Sequence, residues 1–390
     1  MQSLRPFQSR YDAVIVGARC AGAATAFLLA RAGARVLLVD RQTYGSDTLS
    51  THALMRTGVL QLHRWGLLPM VMAEGTPEVS CTTFHYGQEA LRLSIKPEHG
   101  VNYLCAPRRT VLDRVLVDAA RKAGAEVRHG VFLTDIEFGS GGQAIGVRLR
   151  DTDASEYAVC CDLVVGADGR QSTVARLVKA EVYAEGNSSS AYVFGYFEGL
   201  HRDGFHWHFA EKVAAGVIPT NHGEDCVFAS VPTETFGGIF RKNVESGFFR
   251  ILEANSPNLR EDVSRAHLIG RLRGFAGTCG YMRKSHGPGW ALVGDAGYFK
   301  DPLTAHGITD ALRDAELLAR AVLDGRSDGL AAYQRQRDAL SRPLFDVTEA
   351  IASFRWNLDE IQSLHAELSA SMKAEADYVA GLSTPLNLAA

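Results

Sequence analysis

The first forty residues contain the pattern that most constrains the fold of this chain. Residues 11–16 are apolar and β-branched, residues 17–22 form a glycine-containing turn, and residues 23–31 are rich in Ala and Leu. Residues 35–40 then form a second apolar run that ends in an acid. This order predicts a strand, a helix and a parallel strand, which is the unit from which parallel sheets covered by helices are built.

The turn of this unit has the glycine spacing of a dinucleotide site. Gly17 is expected to make the sharp turn, and Gly22 is expected to let the helix approach the strand, while the helix N-terminus offers free N–H groups to a pyrophosphate. Asp40 lies about 20 residues further on, where an acid accepts hydrogen bonds from ribose hydroxyls. Arg19 replaces the second glycine of the pattern. We therefore predict a Rossmann-type domain in which the cofactor is contacted by Gly17, Arg19, Cys20, Ala21, Gly22, Asp40 and Arg41.

Two later motifs specify the cofactor. Residues 166–169 read Gly-Ala-Asp-Gly, and residues 290–297 include Gly294-Asp295. Together with the first motif, they resemble, in order and interval, the DG and GD motifs of the FAD-dependent group that includes para-hydroxybenzoate hydroxylase. The resemblance covers about residues 10–330 and implies FAD that is bound without a covalent link.

The resemblance also assigns roles to individual side chains. It implies that Asp295 hydrogen-bonds the ribityl chain, that Asp168 lies near the pyrophosphate, and that Arg109 reaches the FAD from the start of a helix over residues 110–123. Arg19 is expected to lie along the phosphates or at the flavin edge, where its guanidinium compensates for the missing glycine. The alternative for Arg19 is an exposed side chain that the turn merely tolerates.

The chain beyond the GD motif indicates how the flavin edge is treated. Asp301-Pro302 resembles the geranylgeranyl reductase and flavin halogenase branch, and a helix beginning at Gly307 would direct its positive end at the flavin N1 and C2 carbonyl. Pro302, His306, Gly307 and Ile308 are therefore expected cofactor contacts. His306 could supply a donor or a proton there, or be a packed histidine. The loop 46–52 lacks the Cys-Gly pair of geranylgeranyl reductases, and its His52 could face flavin or substrate, or be structural.

The middle of the chain changes character. Four successive β-like segments, 189–199, 205–210, 214–220 and 225–231, predict an antiparallel sheet. The fold class is thus α/β, with a Rossmann-type FAD domain, an inserted antiparallel sheet that binds substrate, and a helical C-terminal tail. The expected division is FAD-binding domain 1–75, 100–180 and 275–327, substrate domain 76–99 and 181–274, and C-terminal helices 328–390.

Substrate contacts are expected from the inserted sheet. The candidates are Tyr192, Phe194, Tyr196 and Trp207. Trp207 shares one face of its strand with Phe205 and Phe209, while His206 and His208 occupy the other face, and the sequence leaves open which face lines the cavity. Two histidines without nearby carboxylates do not make a metal site, so no metal is expected. Ala214 and Gly216 stand where the resemblance places two tryptophans of flavin halogenases, which disfavours a halogenase.

Composition excludes other classes of protein. A net charge of −3 gives no general attraction to nucleic acid or anionic lipid. The first ten residues lack the apolar core of a signal peptide, and the apolar segment 21–32 is too short to span a bilayer, so we expect a cytoplasmic protein without a membrane span. Seven cysteines without CxxC spacing favour neither disulfides nor a structural zinc site.

The function implied by the resemblance is that of an FAD-dependent monooxygenase. NADPH or NADH, visiting without a domain of its own, would reduce the FAD, and O2 would then form a flavin C4a-hydroperoxide that oxygenates a small organic molecule. An aromatic or polyketide-like substrate is expected, because this reaction needs an electron-rich carbon. The alternatives are a C=C reductase or dehydrogenase of the geranylgeranyl reductase type, and a non-catalytic carrier resembling the GDP-dissociation inhibitors.

Overall fold

The computed structural model describes residues 10–200 and 203–383. Residues 1–9 and 384–390 lie outside the described residues. The expected absence of a signal peptide, and the outer ends of the expected FAD-binding domain and C-terminal helices, fall on these residues. The strands are β1 (Arg10–Val16), β2 (Val36–Asp40), β3 (Cys81–Tyr86), β4 (Glu89–Ser94), β5 (Glu126–His129), β6 (Phe132–Phe138), β7 (Ala144–Arg150), β8 (Glu156–Gly166), β9 (Val182–Glu185), β10 (Ser190–Glu198), β11 (Phe205–Ala210), β12 (Val213–Pro219), β13 (Glu224–Pro232), β14 (His267–Phe275), β15 (Tyr281–Arg283), β16 (His286–Gly287), β17 (Trp290–Leu292) and β18 (Tyr298–Phe299). The helices are α1 (Cys20–Arg31), α2 (Arg56–Trp65), α3 (Leu68–Ala73), α4 (Arg109–Lys122), α5 (Thr173–Leu177), α6 (Thr233–Phe240), α7 (Val244–Asn255), α8 (Pro257–Arg265), α9 (Gly307–Leu323), α10 (Gly329–Ala352) and α11 (Leu358–Gly381).

The first sheet carries the nucleotide-binding unit. Its parallel strands follow the order β17-β8-β1-β2-β5, with β16 antiparallel at one edge and the β6–β7 pair attached through β7 to β8. Helix α1 is buried along almost its whole length and packs against α4 and α9. Because β1 and β8 are adjacent and parallel, the loops after them meet at the same edge of the sheet, where ligands bind in this class of fold.

The second sheet forms a separate layer over this edge. Its order is β14-β10-β13-β12-β11-β3-β4, and all of its strand pairs are antiparallel except β11–β3. Helices α6, α7 and α8 cover one face, while the other face is aromatic and packs against α10, α11 and the loop before α9. The predicted fold class is confirmed, and the expected division into domains stays a prediction.

The C-terminal tail joins the two layers. Helix α10 packs against α9, and α11 packs against α10 and α2. The N-terminus of α11 is fixed by a capping box in which the Asn357 side chain accepts from the backbone N–H of Glu360, whose own side chain accepts from the Asn357 N–H. All seven cysteines are free. Within the part of the chain that the structure describes, no helix combines the length and apolar character that a membrane span requires.

Candidate active site

A cavity of about 580 Å³ opens where the loops of the first sheet face the second sheet. Its wall is formed by the turn after β1, the end of β2, the loop 48–53, the loop 167–171 and the segment leading into α9. Of the residues predicted from sequence, those that line it are Gly17, Arg19, Cys20, Ala21, Asp40, Arg41, His52, Arg109, Asp168, Tyr192, Asp295, Pro302, Gly307 and Ile308. Residues far apart in sequence thus meet in one space that is large enough for a ligand.

The first glycine turn is built by backbone contacts that allow no side chain. Gly17 has φ of +105°, and a Cβ there would lie 2.3 Å from the carbonyl oxygen of Ala167. A Cβ at Gly22 would lie 1.8 Å from the carbonyl oxygen of Gly17. Gly22 therefore packs α1 against the turn and does not line the cavity. The N-terminus of α1 consequently faces the cavity with its first N–H groups, as an anionic phosphate requires.

Arg19 tolerates the position of the missing glycine because its backbone is extended, with φ of −98°. Its side chain forms an ion pair with Asp113 at 2.9 Å and donates to the carbonyl oxygens of Ser46 and Asp47. Asp113 also accepts from Arg109. The guanidinium groups of Arg19 and Arg109 thus line the cavity beside the N-terminus of α1 and share the Asp113 carboxylate behind them.

Two predicted cofactor acids already hold the backbone in place. Asp40 accepts from the N–H groups of Ala18 at 2.6 Å and Gln42 at 2.7 Å. Asp168 accepts from the Thr173 N–H at 2.6 Å and from the Ser172 hydroxyl. Each carboxylate therefore shapes a cavity loop, and each retains lone pairs for a ligand hydroxyl because an ionised carboxylate offers about four acceptor sites.

Asp295 lacks this kind of support. No described residue donates a hydrogen bond to its carboxylate, which lines the cavity and is half-buried. Burial raises the pKa of Asp295 to about 6, and the nearby Arg170 guanidinium opposes that rise. A carboxylate in such a place is stabilised by a ligand that brings hydroxyl donors. The neighbouring Gly294 does not line the cavity, and its N–H instead donates to Asp314 at 3.1 Å.

His52 also lines the cavity, in the loop 48–53. Burial and the positive charges of Arg108, Arg109 and Arg273 hold the pKa of His52 well below its usual value. Its Nε2 contacts the Tyr196 hydroxyl, and its Nδ1 is buried without a hydrogen-bond partner among the described residues. His52 also has φ of +68°, a conformation that is uncommon for a side chain of this size. His52 thus brings a buried nitrogen that lacks a partner among the described residues to the set of residues that line the cavity.

The structure corrects the expectation that the His306 side chain faces the flavin site. His306 is fully buried outside the cavity lining, with Nε2 3.0 Å from Glu375 and Nδ1 3.2 Å from Asp310. Burial alone lowers the pKa of His306, but these two carboxylates outweigh it and raise the value above 6.5. The packed alternative is therefore favoured. The backbone of Gly307 and Ile308 remains in the cavity wall, as expected for the start of α9.

The substrate candidates divide into two groups. Tyr192 lines the main cavity, and together with Trp207 and Phe228 it walls a smaller pocket that adjoins the loop after Asp301. Phe194 and Tyr196 do not line either space, and this corrects the expectation. Phe194 is fully buried among other aromatic rings, and the Tyr196 ring lies under the guanidinium of Arg108, at 3.5 Å.

The aromatic face of β11 points to the cavity side, so the open question about this strand is answered. Phe205, Trp207 and Phe209 belong to the same buried cluster as Tyr192 and Leu303, and the Trp207 Nε1–H donates to Thr82 at 3.0 Å. His206 and His208 lie on the opposite face.

Sequence reasoning missed several charged or polar residues of the cavity, among them Arg170, Gln171 and Lys300. Arg170 and Gln171 directly follow the second glycine of the DG motif, and Lys300 follows the GD motif. Lys300 is buried and forms an ion pair with Asp310 on the first turn of α9. Their positions directly after two recognised motifs were the signal from which a place in the cavity could have been predicted. Lys300 and Asp310 thus line the cavity as a pair of opposite charges at the N-terminal end of α9.

Comparison with known proteins agrees with this geometry. The FAD binding domain family matches residues 10–247. A digeranylgeranylglycerophospholipid reductase of Methanothermobacter thermautotrophicus is 27% identical over 372 residues, covering 90% of this chain and 88% of the relative. The aklavinone 12-hydroxylase DnrF of Streptomyces peucetius is 32% identical over 180 residues, covering 42% of this chain and 36% of the hydroxylase. The flavin-dependent brominase Bmp2 shares the fold, with a TM-score of 0.81, 18% identity and coverage of 96% of this chain and 94% of the brominase.

The chain belongs to the FAD binding domain family and is an FAD-dependent oxidoreductase. NAD(P)H is the co-substrate typical of this family. The residues that line the cavity fit FAD. The turn at Gly17, where a side chain would clash, leaves the N-terminus of α1 open to a pyrophosphate. The Asp295 carboxylate, which accepts no hydrogen bond from a described residue, suits the hydroxyl groups of a ribityl chain. The assignment to the FAD-dependent oxidoreductases disfavours the alternative of a non-catalytic carrier.

Proposed function

We propose that this protein is a monooxygenase that uses NAD(P)H and O2 to oxygenate an aromatic or polyketide-like small molecule. The observation that carries the proposal is the aromatic pocket between Tyr192, Trp207 and Phe228, which adjoins the flavin cavity and shares Thr51, Tyr192 and Pro302 with it. Ring walls of this kind favour a flat, electron-rich substrate. The free space there is about 10 Å³, so substrate entry requires a side chain such as Tyr192 or Trp207 to rotate.

The cofactor roles follow from the cavity. FAD supplies the redox chemistry when it is bound. The pyrophosphate would meet the N-terminus of α1 and Arg19, the ribityl hydroxyls would donate to Asp295, and the flavin would be held near His52 and the first turn of α9. The N-terminus of α9 favours negative charge at that end, and such support aids the reduced state that reacts with O2.

A halogenase is not supported by the inserted sheet. The resemblance places tryptophans of halogenases at Ala214 and Gly216, but a Cβ at Gly216 would lie 2.3 Å from the Phe228 ring. An indole side chain has no space there unless Phe228 moves. The similarity to the brominase, at 18% identity, concerns the fold alone.

A C=C reductase of the geranylgeranyl type is the second candidate. The 27% identity to a digeranylgeranylglycerophospholipid reductase extends over 90% of this chain and favours it. Against it, the loop 46–52 lacks the Cys-Gly pair expected of that group. The 32% identity to a hydroxylase over 180 residues favours oxygenation.

The test is to measure NADH and NADPH oxidation by the FAD-loaded enzyme in air, with and without a panel of polycyclic phenols and quinones. The proposal predicts slow oxidation that yields hydrogen peroxide alone, and faster oxidation with one class of panel compound. Tyr192→Val should abolish this stimulation without loss of FAD, while Tyr183→Val, at an exposed tyrosine on β9, should not. Equal stimulation in both variants would contradict the placement of substrate beside Tyr192.

A further inference from the structure

We propose that His85, His206 and His208 form a binding site for a divalent transition-metal ion of the zinc type. His85 lies on β3, and the other two histidines lie on the neighbouring strand β11. The strands pair in parallel with His85 opposite His208, and one ring nitrogen from each of the three residues lies within 4.8 Å of the others. Three imidazoles with a fourth position open to water are a common ligand set for zinc.

Two of the three nitrogens already have the spacing of ligands on one ion. His85 Nε2 lies 3.1 Å from His206 Nδ1. Two nitrogens at zinc–nitrogen distances of about 2.0–2.1 Å in a tetrahedral site are roughly 3.3 Å apart. The His208 ring stacks on the His85 ring at a centroid distance of 4.0 Å. Side-chain rotation is therefore the only change needed to bring the third nitrogen to the ion, because strand pairing already fixes the backbones.

The orientation of His206 is that of a metal ligand. Its Nε2 lies 3.2 Å from the backbone carbonyl oxygen of Asp203, which can only accept, so Nε2 carries the proton and donates. The lone pair of His206 is then on Nδ1, the atom that faces His85. A ligating histidine usually donates its second ring N–H to a carbonyl or carboxylate in this way.

The site is distinct from the flavin cavity. The three histidines occupy the face of the second sheet opposite to Trp207, and His85 and His206 are partly exposed while His208 is buried. A bound ion would be reached from solvent and would tie residues 81–86 to residues 205–210 across the second sheet. The sequence alone pointed away from a metal because His85 is 121 residues from His206.

Two other groups of ligating residues in the described chain are less suited to zinc. Glu98, His99 and Asp377 form an exposed group with one nitrogen donor. His306, Asp310 and Glu375 are buried, and their carboxylates already pair with Arg313. The histidine cluster of β3 and β11 alone offers three nitrogens.

The experiment is a zinc titration, by calorimetry, of FAD-loaded protein that carries no affinity tag and has been treated with a chelator. We expect one equivalent of Zn²⁺ to bind, to raise the melting temperature, and to bind more weakly as the pH falls through the range in which histidine protonates. His85→Gln and His206→Gln should each weaken binding by at least about 100-fold, since even the loss of an outer partner costs about 10- to 100-fold. The matched control is His267→Gln, an exposed histidine of the same sheet.

Unchanged FAD content in the variants will show that they are folded. Absence of Zn²⁺ binding by the folded wild-type protein would overturn the proposal. So would tight binding of one equivalent that persists in both His85→Gln and His206→Gln, because the ion would then belong to another group of residues.

Discussion

Replacement of Asp295 by Asn is the most informative single change in the proposed flavin site. Asn is nearly the same size and keeps an acceptor oxygen, but it removes the charge of a carboxylate that no described residue supports with a hydrogen bond. A hydrogen bond to a charged group contributes about 1.5–3 kcal/mol. Removal of that bond altogether, in Asp295→Ala, should weaken FAD binding by about 10- to 150-fold, and Asp295→Asn should lie between Asp295→Ala and the wild type.

The same charge should act in opposite directions on cofactor affinity and on the stability of the FAD-free protein. The pKa of Asp295 is raised from 3.8 to about 6 by burial. A raised acid pKa means that the free energy of unfolding decreases as pH rises from 3.8 to about 6, and stays lower above that pH. Without FAD, Asp295→Asn should therefore be more stable than wild type at pH 7, on the order of 1–3 kcal/mol. FAD hydroxyls favour the ionised form, so wild-type FAD affinity should decrease as pH falls below about 6.

Both effects can be measured on the same preparations. Flavin fluorescence on dilution gives the FAD dissociation constant across pH, and urea unfolding of the FAD-free protein gives stability. Asp153→Asn, at an exposed turn, is the control and should change neither quantity. Wild-type FAD affinity in Asp295→Asn and Asp295→Ala at pH 7.5 would refute the assignment of the ribityl contact to Asp295.

Two other predictions concern charged side chains. Arg19→Ala should raise the FAD dissociation constant most at low ionic strength, because salt screens the phosphate contact; the absence of any effect at every salt concentration would mean that Arg19 serves only the loop it contacts. Glu375→Gln should destabilise the protein by about 3–5 kcal/mol, as expected when a buried ion pair loses one partner. Because the pKa of His306 is raised, the contribution of protonated His306 to stability should be fully present below pH 6.5 and be lost as pH rises through the folded pKa. Glu375→Gln should show a smaller decrease over that pH range in the same urea titrations.

Much of the fold was predictable because its signals are local. Helix α9 begins at Gly307, and β11 spans residues 205–210, as the sequence pattern predicts. The glycines of the first turn were identified for the same reason, since their role depends on backbone conformation within a few residues.

The parts that sequence did not predict depend on distant partners. His306 contacts Glu375, which is 69 residues further along the chain on α11. The sequence around residue 306 contains no pattern that predicts this partner. On β10 all side chains but the last are buried, so the strand has no alternation of buried and exposed residues that could predict a cavity contact for Tyr192 but not for Phe194. The packing of the two sheets against each other determines which of these side chains lines the cavity.

The central claim is that the enzyme transfers oxygen, and the most direct test uses isotopically labelled O2. The FAD-loaded enzyme is supplied with NAD(P)H and the panel compound that most accelerates its oxidation, once under labelled O2 and once under strict anaerobiosis. A monooxygenase will give a product that contains one labelled oxygen atom, and no conversion without O2. Equal conversion in the absence of O2, with no label in the product, would rule out oxygen transfer and favour the C=C reductase alternative.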